Sequence, residues 1–301
     1  MIKITEPHVE ILPQPRSLND VWRNIRIAAQ ICYHSDGIGD MTDEEWCRKT
    51  LIKDLNNLEV NHLTPFEHGT LYLIIPDSVV NSIGCESIFS PYTIRHWNLN
   101  DNNWYVTTNM RVLLENEEEF LLDYISECNP DYHVPRISVI FDTNIGVSRE
   151  LNRHRKNSVC EQSTRYCNYT KDKFDGNVNY MLPAWLNKNE TERTLNLLSN
   201  FDFLFDCNVD LGILVYLKAL IACNDAYKKL IQLGWKPQQA REVLPLATRT
   251  KLIHTASIID WLHFLKLREE GVSGAPHPNM KVLANELRRA LEQEDIVKNY
   301  L

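Results

Sequence analysis

The spacing of apolar residues along the chain predicts a mixture of strands and helices. Alternating runs, which are typical of half-buried strands, occupy residues 2–12 (a strand pair broken by Pro7), 69–75, 136–141 and 250–255. Apolar residues three or four positions apart, which are typical of amphipathic helices, occupy residues 21–32, 42–58, 211–233, 259–268 and 278–291. No repeat, low-complexity tract or linker divides the chain. We therefore predict one α+β domain over residues 1–301, with a central mixed or antiparallel sheet and flanking helices.

Capping residues mark several of the predicted helix ends. Thr42, followed three residues later by Glu45, has the spacing of a capping box. Gly234 follows the long helix at a position where glycine commonly ends one. Ser148 is placed to cap a short helix from Arg149 to about Lys156. These signals set the expected ends of three of the predicted helices.

Composition restricts the function classes. Hydrophobic residues make up 44% of the chain and charged residues 24%, with a net charge of -8 and a pI near 5.7, which argues against a general nucleic-acid binder. The eight cysteines are scattered without a C-x-x-C pair, so we expect neither a disulfide framework nor a zinc or other metal site. No apolar run approaches the roughly 18 residues of a membrane span, and the N-terminus lacks a signal-peptide core. The expectation is a cytoplasmic protein with reduced thiols and no membrane partner.

One basic stretch stands out on this acidic chain. Residues 153–156 are Arg-His-Arg-Lys, and Glu161, Ser163 and Arg165 then fall on every second position. If that second half is extended, the three side chains leave the backbone on one face. A carboxylate, a hydroxyl and a guanidinium on one face suit a sugar and a phosphate, because the arginine fork matches phosphate oxygens. Two neighbouring anion sites suggest a nucleotide beside a phosphorylated cofactor, whereas the plainer interpretation is a solvated basic face.

The predicted helix before this stretch adds a carboxylate to it. On a helix from Arg149 to Lys156, Glu150 would share a face with Arg153 and His154, which follow it by three and four residues.

The basic stretch resembles a family signature. The spacing is similar to the motif of the flavin-dependent thymidylate synthases (ThyX): Arg153-His154-Arg155 is followed, after seven residues, by Ser163. The match extends to Ser158, Glu161, Arg165 and Tyr166. Phe66-Glu67-His68 before a strand resembles a second motif of that family, whose histidine sits against the flavin. On spacing alone, His68 is more typical of a buried histidine with one satisfied hydrogen bond. Further similarity lies at residues 31–35, 240–246 and 264–268.

The resemblance leaves an insertion between His68 and Arg153. Residues 76–132 are longer than the compact members need, and we interpret them as a family-variable insertion. Within it, residues 104–115 resemble a segment of the longer bacterial and phage-type relatives. Asn109 and Arg111 of that segment either reach the site or form a structural turn.

The resemblance implies a reaction and an assembly. Members convert dUMP to dTMP with 5,10-methylenetetrahydrofolate as carbon donor, NADPH as reductant and FAD as hydride carrier. They are homotetramers whose flavins bind at subunit interfaces, so that each active site takes residues from several chains.

The resemblance also implies individual roles. The FAD contacts are expected at His68, Thr70, Arg153, His154, Arg155, Glu161 and His263. The dUMP contacts are expected at Glu150, Arg153, Glu161, Gln162, Ser163, Thr164, Arg165, Arg241 and Arg268. Arg268 matches the position that polarises the uracil ring, as the catalytic residue. Such a role is physically sensible, because transfer of carbon and hydride builds negative charge on the ring, and a fixed guanidinium lowers that cost.

The chain departs from the family pattern at three places. Glu150 stands where some relatives have Gln, residues 257–259 replace polar or basic FAD contacts, and Cys160 replaces a common Asn. A nucleophilic Cys160 is disfavoured, because alternation directs it away from Ser163.

Two alternatives remain open at this point. A flavin- and folate-dependent dUMP hydroxymethylase, or a related pyrimidine-nucleotide modifier, would need the same residues. A non-catalytic nucleotide- or RNA-binding relative would not need the full set, and the acidic pI argues against RNA.

Overall fold

The computed structural model describes residues 2–33, 37–53, 61–200 and 209–301. Its strands are β1 (Lys3–Thr5), β2 (His8–Ile11), β3 (Thr70–Pro76), β4 (Ile94–Asn98), β5 (Asn103–Asn109), β6 (Arg136–Asn144), β7 (Ser158–Glu161), β8 (Asn179–Met181) and β9 (Arg249–Ser257). Its helices are α1 (Leu18–Tyr33), α2 (Asp43–Leu51), α3 (Asp77–Ile83), α4 (Glu86–Phe89), α5 (Met110–Glu115), α6 (Ile145–Leu151), α7 (Lys188–Asn200), α8 (Leu211–Gln232), α9 (Pro237–Ala240), α10 (Ile258–Leu265) and α11 (Pro278–Leu291).

The strands confirm the α+β class. A four-stranded antiparallel sheet in the order β2-β6-β9-β7 forms the centre, and a three-stranded antiparallel sheet in the order β3-β5-β4 stands beside it. A parallel pair, β1 with β8, completes the arrangement. The predicted N-terminal strands both form, but they belong to different sheets instead of pairing with each other.

Each sheet has its own apolar core. The central sheet packs against α10 and α11 through residues such as Phe141, Trp261 and Leu283. The three-stranded sheet packs against α1 and α2 through residues such as Trp22 and Leu71. Because β5 and α5 contribute residues to this second core, residues 76–132 are integrated into the fold.

Helices with strong local signals agree with the sequence. α11 spans the predicted residues, and α8 ends just before Gly234, whose φ of 91° is left-handed. The capping box at Thr42 and Glu45 is present in full.

α2 ends at Leu51; the predicted continuation to Leu58 falls largely on residues 54–60, outside the described residues. His34 and Ser35 of the family-like segment also lie outside them. No helix within the described ranges has both the length and the apolarity that crossing a membrane requires.

The predicted helix from Arg149 to Lys156 is wrong in position. α6 begins earlier, because the Asn144 side chain, and not Ser148, accepts the hydrogen bond from the backbone N–H of Val147. The helix ends at Leu151, and residues 152–157 form a turn. The basic cluster therefore lies on a turn between α6 and β7.

The prediction that Glu161, Ser163 and Arg165 share one face of an extended segment is also wrong, because only Glu161 lies in a strand. β7 ends at Glu161, and the Ser163 N–H then donates to the Cys32 carbonyl of α1 at 2.9 Å. The Ser163 hydroxyl accepts from the Arg165 N–H, which turns the chain. A contact with a distant helix thus overrides the strand alternation.

Candidate active site

A buried histidine secures the basic turn. His254, in β9, has no exposed surface. Its Nδ1 lies 3.1 Å from Asn157 Nδ2, and its Nε2 lies 3.3 Å from Asn152 Oδ1. An amide nitrogen only donates and an amide oxygen only accepts, so Nδ1 accepts and Nε2–H donates. A neutral imidazole therefore ties both ends of the turn, residues 152 and 157, to the central sheet.

The same network extends to Glu161. Asn152 Nδ2 donates to Glu161 Oε2 at 2.9 Å, and the Thr250 hydroxyl donates to Glu161 Oε1 at 3.2 Å. Burial, and then the neighbouring His154, lower the pKa of His254 to about 3. The ring is therefore neutral at physiological pH, as the network requires.

Arg268 is held by a second hydrogen-bonded group. Its Nε donates to His154 Nε2 at 3.1 Å, and its two terminal nitrogens lie 3.0 Å from a Glu150 carboxylate oxygen and 3.4 Å from the Glu150 carbonyl. Because arginine only donates, His154 Nε2 must accept. Burial, followed by the charges of Arg268 and His263, lowers the pKa of His154 to about 4, which keeps that nitrogen unprotonated.

The irregular C-terminal end of α10 positions Arg268 beside Glu150 and His154. α10 is capped at Ser257, whose hydroxyl accepts from the Asp260 N–H. It continues into a π-helical turn, Lys266–Glu270, and ends at Gly271 with a left-handed φ of 74°. π-Turns of this kind are frequent at functional sites.

The segment after β7 brings other predicted residues together. Arg241 donates to the Thr164 hydroxyl at 3.0 Å. Gln162 is buried, and its backbone N–H bonds to the Lys251 carbonyl of β9. Thr164 and Arg241 therefore meet, although they are far apart in sequence.

Four predicted residues are exposed on the single chain. Arg153, Arg155, Arg165 and His263 all face solvent. The Arg165 guanidinium lies over the ring of Tyr166, 5.4 Å from its centroid. In the described part of the chain, neither Arg153 nor Arg165 has a carboxylate within 4.0 Å.

His68 and Thr70 lie in the interior. His68 has no exposed surface, and its Nδ1 is 2.8 Å from the Thr255 hydroxyl, which is 2.7 Å from Ser138 Oγ. Burial, and then Arg136 and His254, lower its pKa to about 3. The Thr70 hydroxyl accepts from Arg136. Contact of either side chain with FAD remains a prediction.

A cavity of about 620 Å³ opens between the central sheet and residues 76–132. Arg155 and Lys156 of the basic turn line one side, and Asn109 and Arg111 line another. Asn109 also caps α5, so both of its proposed roles have support. The size is typical of a ligand cavity. Four cations and three carboxylates (Glu67, Glu115 and Asp260) line it, and the cations fit the phosphates of a cofactor such as FAD.

Sequence reasoning missed three residues in and around this site. Asn152 and His254 form the network under the basic turn, and Arg136 lines the cavity. Strand alternation could have indicated which face His254 takes, but its partners come from a turn that had been predicted as helix. The position of Arg136 at the start of β6 gives no local signal of a cavity.

The part of the chain that carries this site is similar to a known protein family. Residues 133–295, which contain the basic turn and Arg268, match the Thy1 family, described as thymidylate synthase complementing protein. A flavin-dependent thymidylate synthase of Geobacter sulfurreducens is 31% identical over 121 residues. That alignment covers 40% of this chain and 42% of the relative, less than half the length of either.

Two solved structures of the UMP/dUMP methylase PolB from Streptomyces cacaoi, bound with 5-Br dUMP and with 5-Br UMP, are also similar. They are 16% and 15% identical, with TM-scores of 0.43 and 0.42. The alignments cover 97% of this chain and 93% and 92% of those chains. Because the Thy1 match spans more than half of its 301 residues, the chain belongs to this family, the flavin-dependent thymidylate synthases or ThyX proteins.

Proposed function

We propose that this protein is a flavin-dependent thymidylate synthase. It would methylate dUMP reductively to dTMP, with 5,10-methylenetetrahydrofolate as carbon donor, NADPH as reductant and FAD as hydride carrier. The observation that carries the proposal is the contact of Arg268 with Glu150 of α6 and with His154 of the basic turn, all within the family match.

Arg268 is the proposed catalytic residue. Three of its five N–H groups are used in contacts with Glu150 and His154 within the chain, which leaves one N–H on each terminal nitrogen for the substrate. Those donors would face the uracil ring as negative charge develops on it. Because the guanidinium is already fixed, little reorganisation accompanies that charge development.

Arg153, Arg165 and Arg241 are the proposed phosphate ligands for dUMP, with Glu150, Glu161, Gln162, Ser163 and Thr164 completing the nucleotide contacts. The exposure of Arg153 and Arg165, and their lack of carboxylate partners in the described ranges, support this role. A guanidinium without an internal counter-ion is available for a charge-assisted hydrogen bond.

Residues of the basic turn would hold the flavin. Arg153, His154, Arg155, Glu161 and His263 are the proposed contacts, together with His68 and Thr70. When bound, FAD supplies the hydride-transfer chemistry that amino-acid side chains lack. The turn would orient it, because His254 fixes the turn to the sheet.

We propose a homotetramer with shared sites. Arg153, Arg165 and His263 are exposed on one chain, which fits contacts supplied to or by a neighbouring subunit. We also propose a single catalytic domain in which residues 76–132 are family-variable. The family match covers residues 133–295 and leaves out residues 1–132, which include this segment.

A product assay tests the function. The purified protein is incubated with FAD, NADPH, methylenetetrahydrofolate and dUMP, and the nucleotide product is identified by mass. A methylated product is expected. A hydroxymethylated product would favour the alternative flavin- and folate-dependent reaction. No product from flavin-loaded protein, combined with dUMP binding, would favour a non-catalytic relative.

A further inference from the structure

Arg136 is a buried cation whose hydrogen bonds go to neutral groups. It is 9% exposed at the start of β6. One terminal nitrogen lies 3.2 Å from the Glu67 carbonyl, 3.4 Å from the Thr70 hydroxyl and 3.5 Å from the Thr108 carbonyl. The other donates to the Ser158 hydroxyl at 3.2 Å. All four acceptors are neutral.

No carboxylate lies within 4.0 Å of this guanidinium in the ranges that the structure describes. Burial lowers the pKa of Arg136 from its ordinary value, but arginine stays charged in proteins. Buried charges are normally paired, because an unpaired charge loses its hydration without compensation. Glu67 and Asp260 favour the charged form of Arg136 from a greater distance. A direct anionic partner for this guanidinium would therefore have to come from a ligand.

The adjoining cavity shows where that partner would lie. Arg136 lines it together with Arg155 and Arg111. Its carboxylates are already engaged: Arg111 pairs with Glu67 at 2.6 Å and with Glu115 at 2.8 Å.

The remaining carboxylate, Asp260, lies 3.6 Å from Lys156 Nζ. Arg136 and Arg155 are thus the cavity cations with no carboxylate within 4.0 Å among the described residues.

Residues 76–132 provide the opposite wall. Tyr92, from this segment, lines the cavity and is 73% exposed. An exposed aromatic ring can stack on a nucleobase. Arg136 and Arg155, which have no carboxylate within 4.0 Å among the described residues, match the diphosphate of a nucleoside diphosphate, and the ring beside them matches its base.

We propose that Arg136 and Arg155 bind the diphosphate of an adenosine-diphosphate moiety in this cavity, and that Tyr92 of the 76–132 segment stacks on its base. This inference rests on the proposed function, which provides two ligands of that chemistry, FAD and NADPH. Arg136 would be a cofactor-binding residue, and the segment would be part of the cofactor site.

The test measures binding and not turnover. Flavin-stripped protein is titrated with FAD and riboflavin by flavin fluorescence, with NADPH by its own fluorescence, and with dUMP by calorimetry. Arg136→Gln should weaken FAD or NADPH at least tenfold and leave riboflavin and dUMP within twofold. The dinucleotide that weakens identifies the source of the diphosphate. Arg289→Gln, on the exposed face of α11, is the matched control and should change none of the affinities.

A folding defect in Arg136→Gln would be detected by circular dichroism and melting. Arg136→Lys then keeps the charge but loses the planar fork, and it should give an intermediate loss. Tyr92→Ala alters only an exposed ring and should weaken the same dinucleotide about threefold or more. Leu99→Ala, which is 75% exposed in the same segment and outside the cavity lining, is its control.

The outcomes separate this inference from the proposed function. If wild-type protein binds FAD and makes dTMP while folded Arg136 and Tyr92 variants bind both dinucleotides as tightly, the inference is wrong and the function stands. If wild-type protein binds neither dinucleotide, the proposed function fails first. Equal weakening of riboflavin and FAD would also overturn the diphosphate assignment.

Discussion

Arg268 and Arg165 are both arginines of the candidate site, but the fold holds them differently. The Arg268 side chain is 19% exposed and is fixed by Glu150 and His154. Arg165 projects from a turn into solvent, with its guanidinium over the Tyr166 ring. The Arg268 guanidinium is therefore positioned before a ligand binds, whereas the Arg165 guanidinium can adjust its position to a ligand.

This difference suggests a division of labour. A preorganised charge lowers a barrier most, because it faces developing charge without reorganising. An adjustable charge suits a phosphate whose charge is the same before and during the reaction, and such uniform binding affects affinity more than turnover. Substitutions of the two arginines test that division.

Arg268→Ala should slow the chemical step about 100- to 1000-fold, because a preorganised electrostatic contact is lost. The measurement is the dUMP-dependent oxidation of reduced flavin by stopped flow at saturating dUMP. NADPH should still reduce the flavin at the wild-type rate. Glu150→Gln, which keeps the Arg268 contact but removes the charge, should lie between the wild type and Arg268→Ala. An unchanged oxidation rate in Arg268→Ala would refute its catalytic role.

Arg165→Ala should weaken dUMP binding by about 2–3 kcal/mol, the range for a lost hydrogen bond to a charged group. The oxidation rate at saturating dUMP should stay within about threefold of wild type. Calorimetric titration gives the affinity, and Arg289→Ala is the control for removal of an exposed arginine. If Arg165→Ala lowers the saturated rate as much as Arg268→Ala does, the proposed division does not exist.

Acid should destabilise the rigid part of the site. His68 and His254 have pKa values of about 3 in the fold, against an ordinary value of 6.5. The unfolded chain binds more protons between these values, so the stabilisation is complete above pH 6.5 and is lost as pH falls toward 3. Each histidine contributes up to about 1.4 kcal/mol per pH unit in that window.

Urea unfolding at several pH values between 7 and 5 measures this slope. His254→Gln should be less stable at pH 7. Its free energy of unfolding should also depend less steeply on pH, because one fewer group takes up a proton on unfolding. The exposed variant His96→Gln is the control and should keep the wild-type slope. A wild-type slope in His254→Gln would mean that this ring does not carry the pH dependence.

Cys160→Ser should have the smallest effect on chemistry. The thiol is buried, and a hydrogen bond with the Cys32 thiol, followed by burial, raises its pKa well above the usual range. A thiol held protonated is a poor nucleophile. We expect turnover within about twofold of wild type, measured with the product assay at a temperature where the variant is folded. Loss of turnover in folded Cys160→Ser would restore the nucleophile hypothesis.

The sequence was most informative where the controlling contacts are local. The capping box at Thr42 and the apolar spacing of α11 depend on residues within one or two turns, so both were predicted. The basic turn was misplaced because the side chains that shape it lie far away: His254 from β9 fixes its ends, and Cys32 from α1 redirects the chain at Ser163. The alternation of residues 136–141 predicted the strand that begins at Arg136, but it could not indicate the role of that side chain, which depends on a cavity that forms between two sheets.

The register of the central strand β9 limits the insertions and deletions that this protein can tolerate. His254 reaches toward the basic turn, and the next residue, Thr255, bonds to His68 on the other face. A slip of one residue in the pairing of β9 would exchange these faces, because strand side chains alternate. It would also displace Ser257, which begins the helix leading to Arg268. Insertions or deletions in β9 should therefore abolish ligand binding and folding together, whereas changes of loop length elsewhere can alter one and spare the other.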